Sequence, residues 1–226
     1  MSVINTNNAA LKSHLASKIA NSSLTKSAQR LSSGRRINSS ADDAAGTAVG
    51  LKLHAQLQGQ KAAIKTASDA ISLLKLQETG TSQFVNIIER IREISVQMAS
   101  GSYSDSDRSL AQLEVDALKS QLGLVASGTM FNNKQILNAS STSNYQIQAG
   151  ADQDENFTIS VIEGATLSTN VSSDADVTTQ SNALNTMNEM LTHSQTAKKY
   201  LATVGASINR LSSTINNLST SAVNTE

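Results

Sequence analysis

Residues 64–98 read Ile-Lys-Thr-Ala-Ser-Asp-Ala-Ile-Ser-Leu-Leu-Lys-Leu-Gln-Glu-Thr-Gly-Thr-Ser-Gln-Phe-Val-Asn-Ile-Ile-Glu-Arg-Ile-Arg-Glu-Ile-Ser-Val-Gln-Met. Ile64, Ala67, Ile71, Leu74, Glu78, Thr81, Val85 and Ile88 follow a three-four spacing, and Ile91, Ile94 and Met98 continue it. Such spacing makes a narrow seam of the coiled-coil kind along one side of a helix. The seam weakens at Glu78–Thr81, where Gly80 adds about 1 kcal/mol of helix penalty. The pattern predicts a helix over 47–99, which at 1.5 Å per residue would run for about 80 Å.

Outward from this seam the same period recurs. Gly101-Ser102-Tyr103-Ser104-Asp105 reads as a stop, a turn and a new N-cap. A second helix is predicted over 106–127, with Leu110, Leu113, Ala117, Leu118, Leu122 and Val125 on its apolar face. Residues 131–137 form a compact connector. Tyr145, Ile147 and Ala149, then Phe157, Ile159 and Val161, alternate with polar residues, which predicts a β-hairpin over about 143–162 with an acidic loop at 150–156. Residues 163–180, rich in Ser, Thr, Asp and Asn, are expected to be a surface loop. A last helix, 180–220, carries Leu184, Met187, Leu191, Leu201, Val204, Ile208, Leu211, Ile215 and Leu218, with Ser194 and Lys198 as polar members. Upstream, residues 1–33 form a helix whose stripe (Ile4, Leu11, Leu15, Ile19, Ala28, Leu31) is too thin to hold it alone in water. The expected fold class is mainly α: an elongated antiparallel helical bundle or coiled-coil rod with a small flanking β-hairpin.

Composition agrees. Hydrophobic residues make up 38% of the 226 and aromatics 3%, too few large side chains to enclose one thick core. The net charge is zero, which gives no electrostatic case for nucleic acid or an acidic membrane. There is no Cys, hence no disulfide framework and no thiolate metal site. There is no Pro, so long helices are uninterrupted and folding is free of X-Pro isomerisation. Both absences suit a chain exported unfolded. No apolar run reaches transmembrane length, and the N-terminus lacks a secretory signal. An extracellular destination would need a route without signal cleavage.

Catalysis has little support in this sequence. His14, His54 and His193 lie far apart, outside any His-Glu-x-x-His arrangement, and read as surface-facing helix residues. Gly46, Gly50 and Gly59 follow no strand and match no dinucleotide fingerprint. No catalytic, metal or cofactor residue is assigned.

The densest run is Leu31-Ser-Ser-Gly-Arg-Arg-Ile-Asn-Ser-Ser-Ala-Asp-Asp-Ala-Ala-Gly46. By chemistry alone its charges mark a solvated turn whose aspartates favour the dipole of the next helix. As a pattern it resembles the spoke of bacterial flagellins, the segment that joins the two inner domains. Asn86-Ile-Ile-Glu-Arg-Ile-Arg-Glu-Ile-Ser-Val-Gln97 and Leu201-Ala-Thr-Val-Gly-Ala-Ser-Ile-Asn-Arg-Leu211 resemble two further flagellin segments, and Tyr145-Gln-Ile with Phe157-Thr-Ile resembles the family's hairpin. A related hook–filament junction protein tends to have Pro after the paired aspartates, where this chain has Ala44-Ala45-Gly46.

The resemblance implies a structural subunit of the flagellar filament, exported through the flagellar apparatus and polymerised outside the cell. It implies a tube-lining helix at 1–33, a spoke at 34–46 and a rod at 47–226. It implies subunit contacts by Leu31, Gly34, Arg35, Arg36, Asn38, Asp42 and Asp43. It also implies a surface read by a host innate immune receptor, at Glu89, Arg90, Ile94 and Glu114. Flagellins continue past the position of Glu226 with a helix that pairs with the N-terminal one. The expectation is therefore a short form, without that helix and without outer domains, and an N-terminal helix without its partner.

Overall fold

The computed structural model describes residues 7–138, 144–150 and 155–226. Along the described chain run α1 (Asn8–Ser33), α2 (Ala44–Met98), α3 (Asp105–Gly128), β1 (Met130–Phe131), β2 (Lys134–Gln135), β3 (Tyr145–Gln148), β4 (Asn156–Ile159), α4 (Gly164–Asp174) and α5 (Gln180–Thr225). Ile4 and most of the expected acidic loop, at 151–154, lie outside the described residues. None of these helices is long and apolar enough to cross a membrane. The chain divides into two units, Met1–Gln56 and Leu57–Glu226.

The second unit is a bundle of α2, α3 and α5. Its α2 seam is a heptad repeat: Gln60, Ala63, Ala67, Ala70, Leu74, Gln77, Thr81, Phe84, Ile88, Ile91, Ser95 and Met98 are all buried. Sequence reading had set half of this seam one position late. Ile64, Ile71, Glu78 and Val85 are only half-buried, with Ile71 and Val85 packed on the flank of the core. Alanines and short polar residues hold the centre line because they let neighbouring backbones approach. Thr81 and Ser95 are tolerated there because each hydroxyl donates to the carbonyl one turn back, Gln77 O and Ile91 O, at 2.7 Å.

Helix α5 runs antiparallel to α2. Gln60 bonds Ser221 at 2.9 Å, Glu89 accepts from Ser194 at 2.7 Å, and Gln180 bonds the Ala99 carbonyl at 3.1 Å. Its inward line is Ala183, Thr186, Met190, His193, Ala197, Val204, Leu211 and Ala222. Leu184 and Leu191, expected in the seam, are 44% and 41% exposed. From Val204 onward the expected line holds, with Leu211 buried and Ile208 and Ile215 packed against the core. His193, expected at the surface, is 9% exposed.

The phase of α3 also differs from expectation. Leu110 and Leu113 are 66% and 65% exposed, while Val115, Leu122, Val125 and Ala126 are buried. The cause lies in the preceding turn. Ser104 and Asp107 form a reciprocal capping box. One residue on, Arg108 is drawn inward, donating from Nε to Met98 O and from Nη2 to Ser100 O, both at 2.8 Å. Its charge satisfies the Met98 carbonyl that ends α2 and the Ser100 carbonyl just beyond it. That fixes the inward face as Arg108, Ala111, Val115, Leu118 and Leu122.

After α3 the chain turns through Asn132 and Asn133, whose φ of 48° and 62° suits the tight two-residue link between β1 and β2. Leu137 follows, fully buried. Gly80, whose helix penalty looked like a weakness, is its seat: a Cβ there would lie 2.5 Å from Leu137 Cδ1. On the other side a Cβ on Gly164 would lie 2.6 Å from the Leu137 carbonyl oxygen, which accepts from Ala165 N at 3.1 Å. The hairpin pairs β3 and β4 antiparallel, Tyr145 opposite Ile159 and Ile147 opposite Phe157, and buries Phe157 and Ile159.

Residues 163–180 are not the loop expected. Gly164–Asp174 form α4, with Gly164, Leu167, Ser168 and Val171 buried. Ser, Thr and Asn are poor helix formers. Here Leu167 and Val171, one turn apart, and then Ala175 and Val177 supply an apolar line that the core covers, and burial overrides propensity.

The glycines give a paired test. Gly164→Ala must displace the Leu137 backbone and should destabilise the second unit by about 1–3 kcal/mol. Gly205, with nothing within 4 Å of its would-be Cβ, should instead stabilise by up to about 1 kcal/mol on change to Ala. Urea denaturation of both variants checks the contrast.

Candidate functional site

The first unit presents a helix without a core. Asn7 opens α1, its side chain accepting from Ala10 N at 3.1 Å. From there to Ser33 no residue is buried. Leu11, Leu15, Ile19, Leu24 and Leu31 are 59–87% exposed. Gly34 ends the helix at φ 65°, a left-handed conformation that glycine adopts without the steric cost of a side chain.

The following turn is tied by its own side chains. Asn38 N donates to Asp42 Oδ2 at 3.4 Å, and Asp42 N to Ser39 O at 3.0 Å. Asp42 faces Arg30 at 3.9 Å. Asp43 caps α2, accepting from Gly46 N at 2.8 Å. A Cβ on Gly46 would come within 2.5 Å of that carboxylate, so glycine here preserves the cap. The two aspartates are thus structural at one end, and neither pairs with Arg35 or Arg36.

Those two arginines form no ion pair among the described residues. With Ser27, Arg30, Leu31 and Gly34 they line an open groove of about 480 Å³. Of the expected interface residues, Leu31, Gly34, Arg35 and Arg36 therefore meet in one groove. Asn38, Asp42 and Asp43 brace the turn beside it. Sequence reading missed Ser27 and Arg30, which belong to the groove because they sit one helical turn before Leu31 and Gly34.

The second expected surface straddles α2 and α3. Arg90 donates to Glu114 from Nε at 3.0 Å and from Nη2 at 2.7 Å, and to Glu93 at 3.2 Å. The three side chains are roughly half exposed. Ile94 is 3% exposed and belongs to the core. Glu89 faces α5, where Ser194 and Lys198 both reach Oε1 at 2.7 Å. The donated bonds from Lys198 and Ser194, with the Lys198 and Arg92 charges, hold the Glu89 carboxyl below its ordinary pKa against the opposing effect of burial.

Residues 4–142 match the family model described as the bacterial flagellin N-terminal helical region. The chain belongs to the flagellin family. Polar flagellin F of Vibrio parahaemolyticus is 41% identical over 151 residues, 66% of this chain and 40% of that one. The B-type flagellin of Pseudomonas aeruginosa is 38% identical over 149 residues, 66% of this chain and 30% of that one. The chain thus spans less than half the length of these curated relatives. Among solved structures, a Bacillus cereus flagellin superposes with a TM-score of 0.63 at 24% identity, over 68% of this chain and 88% of that one. A putative flagellar hook-associated protein from Vibrio parahaemolyticus gives 0.67 at 14% identity, over 83% of this chain and 97% of that one. At such identities these two establish a shared fold and nothing more.

Within the second unit Glu89 has a structural role of its own, tying α2 to α5. Because its folded pKa is lowered, Glu89 contributes stability that is complete above the unfolded carboxylate pKa and is lost as pH falls through the folded one. Thermal melts from neutral to acidic pH should show this. Glu89→Gln should flatten the acid limb and leave the neutral plateau lower than in the parent.

Proposed function

We propose that the chain is a structural subunit of the bacterial flagellar filament and that it works by packing, not by catalysis. The observation that carries this is α1: a helix with an apolar stripe and no buried residue. Isolated helices of this length and composition are marginal in water, so its order is supplied by neighbours. In this reading residues 1–33 line a tube, residues 34–46 are the spoke, and the groove at Leu31, Gly34, Arg35 and Arg36 receives an acidic or carbonyl-rich surface of another subunit. The bundle of the second unit is the rod. The subunit leaves the cell through the flagellar export apparatus without signal cleavage, and its partners are further flagellin subunits.

Two other readings are weaker. A hook–filament junction protein shares the fold, but relatives near 40% identity are flagellins. A ligand for an innate immune receptor finds support in the exposed Arg90–Glu114 pair. Ile94 offers such a receptor little surface, and Glu89 is engaged within the subunit.

The test is incorporation. Labelled chain is added to sheared filaments of a related flagellin and growth is followed by electron microscopy. Label should enter the growing ends, and Arg35→Glu with Arg36→Glu should reduce entry at least tenfold while the melting temperature of the second unit stays fixed. Equal entry by the variant would remove the groove from the interface, and no entry by the parent chain would overturn the filament reading.

A further inference from the structure

Where α4 ends against α5, three side chains from the two helices meet. Asp174 closes α4, and Glu189 and His193 lie one turn apart on α5. One ligand-type atom from each lies within 4.8 Å of the others. His193 Nε2 is 2.8 Å from Asp174 Oδ2, and the imidazole is 11% exposed. Glu189 has no hydrogen bond or ion pair among the described residues.

Beside them is a cavity of about 260 Å³ lined by Asp174, Asp176, Asn182, Asn185, Thr186 and Glu189. Every lining group offers oxygen or amide, and no Lys or Arg lines it. Asp176 is committed to its own loop. Its Oδ1 accepts from the Thr178 amide at 2.9 Å and hydroxyl at 2.7 Å, and its Oδ2 from Asn182 at 2.8 Å. Lys119, the cation that bears on Asp176, is engaged by Asp116 Oδ1 at 3.2 Å and the Ala175 carbonyl at 3.1 Å. Two carboxylates, Asp174 and Glu189, therefore converge on one imidazole.

We propose that Asp174, Glu189 and His193 form a binding site for a divalent transition-metal ion, of which Zn²⁺ is the reference. Ligand atoms held at about 2.0–2.2 Å from one ion lie about 3–3.5 Å apart. The His193–Asp174 spacing of 2.8 Å is already near this, and Glu189, exposed on α5, lies within 4.8 Å of both. One nitrogen and two carboxylate ligands suit Zn²⁺ better than Mg²⁺, which prefers oxygen and keeps its waters. Glu189 and His193 are four residues apart on one helix, the same one-turn spacing that brings two ligands onto a single ion in helical zinc motifs. The cavity lies on the Asp174 and Glu189 side of the cluster and leaves room for water there. The ion would replace the direct His193–Asp174 contact and tie the end of α4 to α5.

The experiment is titration of the full metal-free chain with ZnCl₂, followed by calorimetry and by thermal melting. One bound ion per chain and a melting temperature that rises with free Zn²⁺ are expected, with MgCl₂ giving at least tenfold weaker binding. Glu189→Gln, an exposed change, should weaken Zn²⁺ binding at least tenfold without altering the metal-free melt. His193→Gln should do the same, and if that variant fails to fold Glu189→Gln decides alone. A double variant, His14→Ala with His54→Ala, should bind as the parent does. Absence of a melting shift and of binding heat, or binding unaltered by Glu189→Gln, would overturn the site. Neither outcome bears on filament incorporation, which is read at the α1-containing unit.

Discussion

The fold of the second unit rests on the length of the α2 seam. A heptad line from Gln60 to Met98 can be dried only by a partner that runs beside it over the same distance. Helix α5 is that partner, held antiparallel at three well-spaced points by Gln60–Ser221, Glu89–Ser194 and Ala99–Gln180. Everything else in the unit fits around this pair. Arg108 sets α3 in place by binding the Met98 and Ser100 carbonyls. Leu137, seated between Gly80 and Gly164, brings in the connector and α4, which packs between α3 and α5. The seam is narrow because its residues are small, and a narrow seam is one that Ser, Thr and Gln can share with alanine when their hydroxyls and amides find carbonyls. That is how a chain with 38% hydrophobic residues and 3% aromatics builds a dry interior.

The helices and the hairpin were legible because period and turn chemistry are local properties. The face of each helix was less so. Large side chains suggested Ile64, Ile71 and Val85 for α2 and Leu110 and Leu113 for α3, whereas the close line falls on Ala63, Ala70 and Val115. Two adjacent positions differ by about 100° around a helix, and only the partner helix decides between them. Helix α4 was illegible for the reason that propensity is a weak guide: its Ser and Thr content argues for a loop, and the four apolar residues that overrule it act through distant contacts. The turn at 31–46 was read correctly as the place where charge concentrates. Its division of labour, with Asp43 capping, Asp42 facing Arg30, and Arg35 and Arg36 left to the groove, depends on which donor each carboxylate meets. His193 shows the same limit, since Asp174 reaches it only through the packing of α4.

Helices α1 and α5 make the final contrast. Both carry sparse apolar stripes in a background of Ser, Asn, Thr and Ala. One is buried along its length and the other not at all, so their stabilities differ although their compositions do not. Local free energy follows burial, and in this chain burial is supplied by neighbours more than by propensity. Order in α1 is therefore set by whatever covers Leu11, Leu15, Ile19, Leu24 and Leu31. In the proposed filament role, the free energy of covering that stripe is gained at the moment of assembly. The groove lies at the end of this uncovered helix, where Arg30 faces Asp42 while Arg35 and Arg36 form no ion pair among the described residues, so in the proposed assembly a neighbour would supply the apolar contact and the charge partners together.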